Sequence, residues 1–355
     1  MDKVVQTFLD LAAIDEVYPN EKQVLEFVMR RLKDAGVPYK QDKARNIVAT
    51  IKGTTDETIA LCSHVDIAAP LDGRKIITEG NVIKTDGVSL LGGDDKTAVA
   101  AMLELADEFG TGAKKPPKTI QLIFTIGEEA GLKGAYQLDM GLLTARQVLV
   151  FDWLGRVNRI ITKSPTGFQI NVTYIGKDAH PAEWQKGKNA GAALMAVASS
   201  LEQGEYVPGV TFNIGIVEIG NARNKIPGLA HLKAEMRSFD FDKVDSAAKE
   251  VEQIFRKGAK KHGVEIKLEL VKGSAPYKLN HDSTLFAAAT STLAKMNLKP
   301  QLEPTYGCFD GNIFAARGLD VVIMGAGYYN PHSPDEYVNI DELTEMFAFI
   351  RQVVG

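Results

Sequence analysis

Between residues 165 and 274 the apolar pattern runs strand (Phe168 to Ile175), helix (Ala190 to Leu201), strand (Val210 to Ile219), strand (Leu229 to Phe239), helix (Val244 to Lys261) and strand (Val264 to Val271). This βαββαβ order is the split βαβ unit, and it constrains the fold more than any other feature of the chain. It predicts a self-contained ferredoxin-like domain, a four-stranded antiparallel sheet with two helices on one face. The pattern on either side is different. Before it, Val24, Phe27, Val28 and Leu32 recur at helical spacing, and extended runs follow at Ile47 to Ile51 and Thr58 to Val65. A helix follows Asp94 with Val99, Met102, Leu103 and Ala106 on one face, then apolar strands at Ile120 to Ile126 and Val148 to Phe151. After Pro276 the alternation returns: helix Ser283 to Met296, strand Asp320 to Met324, helix Ile340 to Val353. Continuously apolar strands call for a sheet covered on both faces. The predicted fold class is therefore α/β. A mixed, mainly parallel sheet between helices spans 1–164 and 275–355, with the small domain 165–274 inserted; a chain of 355 residues can bury a core in each.

Charge narrows the function. The 41 Lys and Arg are interleaved with 45 Asp and Glu, for a net charge of -4, so no basic stripe can track a nucleic acid. No stretch of ~18 residues is apolar enough to span a membrane. Met1, Asp2 and Lys3 lead directly into an amphipathic pattern rather than a secretory leader. The only cysteines, Cys62 and Cys308, are spaced for neither a disulfide framework nor a thiolate metal site, so the expected compartment is the reducing cytoplasm.

Five groups of metal-binding chemistry stand at predicted strand ends. His64-Val65-Asp66 closes an apolar strand, where residues two apart share a face, so the carboxylate can orient the imidazole. Taken alone, the same pattern also suits an ordinary histidine at a strand end. Gly92-Gly93-Asp94-Asp95-Lys96 sets two acids at a helix start; one aspartate can be a helix cap, while the glycines suggest a backbone that must come close to something. Glu128-Glu129 follows a buried strand at the end where open α/β sheets bind ligands, so one can ligate a metal while the other carries a proton. Asp152 repeats the arrangement, and Pro331-His332-Ser333 offers a second imidazole. Two imidazoles and three carboxylates, His64, Asp94, Glu129, Asp152 and His332, suit a pair of divalent ions if one carboxylate bridges.

This order of motifs resembles the aminoacylase and carboxypeptidase family of dizinc hydrolases, and within it the peptidase T branch. His180-Pro181, Lys186-Gly187 and Asn189-Ala190 are similar to the corresponding stretch of that branch, and Asn224-Lys225-Ile226-Pro227 followed by Arg237-Ser238 to the family's lid signature. The likeness runs from the N-terminal helix to Glu336-Tyr337. It implies a metal-dependent exopeptidase acting on short peptides, with two Zn2+ ions for which Co2+ or Mn2+ can substitute. One ion would be held by His64 and Asp152, the other by Glu129 and His332, with Asp94 bridging, Asp66 orienting His64 and Glu128 as general base. It further implies a cis Asp94-Asp95 peptide, a homodimer formed through the inserted domain, and a His180 that reaches the partner's site to stabilise an oxyanion. Arg237 would clamp a substrate carboxylate and Asn224 add a polar contact.

Two other functions use the same residues. An N-acyl amino acid deacylase would differ only in its pocket walls, to which Trp153 and Trp184 are candidates. A catalytically silent peptide binder would be marked by loss of Glu128 or of a ligand, and every one of those positions holds a competent residue. His231, His262 and His281 have no partners at ligand spacing and are read as non-functional. Phe309-Asp310-Gly311-Asn312 resembles a Gly/Asp-rich turn near the family's site, from which Cys308 and Phe309 depart.

Overall fold

The computed structural model describes residues 2–71 and 73–355. They form two compact units. The first comprises the chain up to Lys163, Tyr277–Thr305 and Phe309–Gly355; the second comprises Ser164–Pro276 and Tyr306–Cys308.

The first unit is built on a nine-stranded sheet. Its centre is four parallel strands in the order Thr119–Thr125, Thr58–His64, Gln147–Trp153, Asp320–Gly325. Three of these four are buried along nearly their whole length, as expected of a sheet covered on both faces. One cover is the helix Gly93–Phe109, which is buried almost all round because it lies between this sheet and the helices Lys3–Ala12 and Ile340–Val354. Arg31 ties it to its neighbours, donating to Glu104 at 2.8 Å and Asp107 at 2.6 Å while Thr7 donates to Glu104 at 2.6 Å.

A second sheet of the same unit was not read from the sequence. It is antiparallel, in the order Tyr328–Tyr329, Tyr337–Asn339, Val82–Thr85, Ile76–Glu79. Its first hairpin presents the loop 330–336, which contains His332. The short strands carry too few residues for a two-residue alternation to show.

The second unit contains the expected βαββαβ order with one strand added. Gly204–Val207 pairs with the start of Val210–Ile219, so the sheet has five strands rather than four, all antiparallel. The added strand, Gly-Glu-Tyr-Val, has no apolar alternation to announce it. The helices Ala190–Ala198 and Phe241–His262 share one core with the sheet, where Tyr174 packs edge-on against Phe255 with ring centroids 6.4 Å apart. Tyr306–Cys308 joins this unit because Arg237 donates to the Tyr306 carbonyl at 2.7 Å and Phe239 lies against the Tyr306 ring.

Candidate metal centre

The site lies at the carboxyl ends of the parallel strands. His64 is the last residue of its strand, Asp152 is the penultimate residue of the next, and Glu128 and Glu129 follow Thr119–Thr125 by a short turn. Asp94 opens the helix Gly93–Phe109, and His332 comes from the loop of the small sheet. These five ligand candidates converge: within His64, Asp94 and Asp152, and again within Asp94, Glu129 and His332, one ligand atom from each residue lies within 4.8 Å of the others. A third such group is His64, Glu128 and Glu129.

Asp94 belongs to both principal groups. Its Oδ1 is 3.1 Å from His64 Nε2 and its Oδ2 is 3.4 Å from His332 Nε2, so each carboxylate oxygen faces one imidazole. His64 Nε2 is also 3.6 Å from Asp152 Oδ1, and His332 Nε2 is 2.7 Å from Glu129 Oε1. Neither aspartate of the Gly-Gly-Asp-Asp motif acts as the helix cap: the turn starts at Gly92, at φ +78°, and Asp94 and Asp95 depart from helical angles. The Asp94-Asp95 peptide is cis.

Asp66 works differently from the strand-alternation argument. The strand ends at His64, so Asp66 is already in the loop, and it is its backbone carbonyl that lies 3.0 Å from His64 Nδ1. The Asp66 carboxylate stands farther from the ring, at 3.5 Å, and accepts the backbone N–H groups of Glu128 and Glu129 at 3.1 Å each. It therefore fixes the turn carrying both glutamates while its own main chain sets the His64 tautomer, leaving Nε2 free for a ligand.

The charges of the cluster act strongly on one another. Burial disfavours a charged His64, yet Asp152 and the hydrogen bonds to Asp66 and Asp94 outweigh it and raise the imidazole well above its ordinary value. Hydrogen bonds to Asp94 and Glu129 push His332 up to about 10. Burial would raise Asp94, but the bonds from both histidines hold it well below the usual carboxylate range. Asp152 is pushed up to about 7, first by burial, and Glu128 rises well above normal through burial and then the charge of Asp152. So much negative charge, facing imidazole nitrogens, draws positive charge to the shared point between them. Two divalent cations fit this set of nitrogen and oxygen donors.

The candidates His180, Asn224, Arg237 and Trp184 lie in the second unit, and Trp153 and Phe309 to Asn312 in the first. His180 caps a short 3-10 helix, its Nδ1 accepting the Ala182 N–H at 3.2 Å. Asn224 is exposed in a turn, and Arg237 is tied to Glu235 at 2.9 Å and to the Tyr306 carbonyl. Trp184 is exposed, whereas the Trp153 indole donates to Glu303 at 2.9 Å and packs edge-on against Phe309. Phe309-Asp310-Gly311-Asn312 is the start of a helix, not a free turn; Asp310 is buried and accepts the Thr125 hydroxyl at 2.5 Å.

Histidines and carboxylates gathered in this way at strand ends define a metal-dependent hydrolase. The chain belongs to peptidase family M20/M25/M40, whose sequence profile matches residues 86–355, and is thus a peptide hydrolase. It is 30% identical to the Bacillus subtilis protein YqjE over 362 residues, 99% of this chain and 97% of that one. Among solved structures, it resembles a tripeptidase from Staphylococcus aureus with a TM-score of 0.89 and 27% identity, covering 99% of this chain and 97% of that one. It also resembles the aminopeptidase PepT from Bacillus cereus, with a TM-score of 0.84, 26% identity and the same coverage of both chains.

The two N–H groups held by Asp66 give a direct test. Asp66→Asn would set an amide NH2 against one of them and displace the glutamate turn. Turnover is expected to fall about 10- to 100-fold with the circular dichroism spectrum retained; steady-state kinetics equal to the parent's would show that the carboxylate is dispensable.

Proposed function

We propose that this chain is a dizinc exopeptidase of short peptides, tripeptides among them, working as an aminopeptidase. The observation that carries the reading is the placement of Asp94 between two imidazoles, one facing each of its oxygens. On this reading His64 and Asp152 would hold one ion, Glu129 and His332 the other, with Asp94 available to both. Mixed imidazole and carboxylate donors suit Zn2+, with Co2+ or Mn2+ as substitutes. When bound, such ions polarise a scissile carbonyl and bring the pKa of a water down towards neutrality.

Glu128 supplies the proton chemistry. Its carboxylate lies with His64 and Glu129, and its burial near Asp152 gives it a high proton affinity. A Glu128 oxygen takes a proton from the attacking water as the new C–O bond forms, then delivers it to the amine nitrogen as the C–N bond breaks. Asp66 keeps that carboxylate in place through the backbone of its turn.

The inserted unit is assigned the roles of lid and dimerisation domain. Gly204–Val207 covers only Val210–Phe212 of its neighbour, so the outer edge of that strand from Asn213 to Ile219 has no strand partner among the described residues. Ile216 and Val217 there are each 46% exposed. A bare edge with apolar side chains is best covered by a second copy of the same strand, giving a homodimer. His180 accepts at Nδ1, which leaves Nε2–H as its donor, the arrangement needed to stabilise an oxyanion in a partner's site. Arg237 and Asn224 are assigned to the substrate carboxylate and a neighbouring polar group. No helix among the described residues is long and apolar enough to cross a membrane, and the unpaired Cys62 and Cys308 accord with a cytoplasmic location.

The function is tested with zinc-reconstituted protein on di- and tripeptides and on N-acetyl amino acids. Peptides are expected to be cleaved, and faster; turnover of N-acetyl amino acids alone would make the chain a deacylase. Glu128→Gln should lower kcat by about 10² to 10⁴ with two zinc ions retained, whereas Glu129→Gln should lose zinc, measured by atomic emission. The opposite pattern would exchange their roles. In sedimentation the chain should run as a dimer, and Val217→Lys, which puts a charge on each facing edge, should make it a monomer. A fully active monomeric parent would remove both the dimer and the part given to His180.

A further inference from the structure

The loop 330–336 carries His332 near its start and Glu336 at its end. Glu336 is 1% exposed, and its carboxylate receives three backbone N–H groups from a single turn. Leu91 and Gly92 donate to Oε2 at 2.8 Å each, and Asp94 donates to Oε1 at 3.0 Å. The carbonyls of the same turn go the other way: Arg74 donates to Leu90 O at 2.7 Å and to Leu91 O at 3.1 Å. A non-helical turn is thus held by a carboxylate on its donors and a guanidinium on its acceptors, which accounts for its main-chain groups without regular structure. There is no slack at its centre. A Cβ on Gly93 would stand 2.8 Å from Val338 Cγ2, 3.0 Å from Tyr328 Cβ and 3.1 Å from Glu336 Oε1.

The bond to the Asp94 N–H fixes the peptide plane next to the Cα that bears the shared carboxylate. Without it, that plane can rotate, and the two oxygens no longer face two imidazoles at once. From this geometry we infer that Glu336 is a positioning residue of the metal centre: it sets the Asp94 carboxylate between His64 and His332. Because Glu336 and His332 share one short loop, the same carboxylate also ties two ligands of one ion to each other. The inference rests on the reading of Asp94 as the shared ligand, but Glu336 touches no reacting atom.

Glu336→Gln isolates the effect. An amide matches the carboxylate in shape but offers one acceptor oxygen, so at least one of the three N–H groups meets an NH2 instead. Apo protein, prepared with a chelator, is titrated with Zn2+ against a chromophoric competitor, and its melting temperature is measured separately. The expected result is an apo melting temperature near the parent's with zinc affinity weakened about 10- to 100-fold at both sites, since Asp94 serves both. Glu336→Asp, which keeps the charge but is one methylene too short, should fall between and replaces the Gln variant if that one does not fold. Parental zinc affinity in a folded variant overturns the inference. So does failure of both variants to fold, which would make Glu336 a structural requirement only. A parent chain that does not itself bind two ions would instead overturn the dizinc reading beneath it.

Discussion

Burial of negative charge is the constraint on which this structure turns. Asp94, Asp95, Asp152, Glu128 and Asp310 gather near the ends of the parallel strands, and water solvates little of them. Both oxygens of Asp95 and one of Asp310 are buried with no hydrogen-bond partner among the described residues, and burial raises the pKa of each of these two groups. Ionised carboxylates in such a place are very costly unless paired. Two imidazoles compensate part of the charge, and their raised pKa values show how strongly the cluster draws protons. A divalent ion held by these donors would do the same more completely.

The fold meets that demand through main chain as much as side chain. The Asp66 carbonyl aims His64 while the Asp66 carboxylate grips the glutamate turn. Gly127 lets that turn form: at φ +57° it presses on the Tyr18 ring so closely that a Cβ would lie 2.5 Å from it. Glu336 and Arg74 grip the Asp94 turn from opposite sides. In each case a charged side chain is spent on backbone geometry, one step back from the ligands, and the ligand side chains themselves stay free to face one another. The outcome is a preorganised set of donors whose relative positions depend on loops being held, not on the strands alone.

How much of this was legible in the sequence follows from where each signal comes from. His64, Glu129 and Asp152 stand out because they follow apolar runs, Asp94 because two glycines precede it at a helix start, and His332 as an imidazole in a loop after a strand; the apolar runs also mark the main sheet and the inserted βαββαβ unit. Signals carried by short or irregular segments did not reach the surface of the sequence. The strand Gly204–Val207 has no periodicity, so the sequence predicts four strands where the sheet of the inserted unit has five. Asp66 was placed on the strand face by counting residues, but the strand stops at His64 and its carboxylate serves other partners. Glu336 looks like one more acid in an exposed Ser-Pro-Asp-Glu tract; what singles it out is the buried turn it meets, more than two hundred residues earlier in the chain. Tyr306–Cys308 lies within the last third of the sequence yet packs with the second unit. Long-range pairings of this kind have no local pattern.

The division of the chain has a chemical corollary. Every ligand candidate, together with Glu128, Asp66 and Glu336, lies in the first unit. His180, Asn224 and Arg237 lie in the second, which has its own hydrophobic core and sheet. On the proposed function, the residues assigned to the metals and to proton transfer thus all lie in one unit and those assigned to the substrate in the other. The ligand candidates are legible as a set because each stands at a strand end, a helix start or a loop of the first unit, whereas Asn224 and Arg237 rest on resemblance: an exposed asparagine and an arginine already paired with Glu235 are chemistry shared by many surface positions.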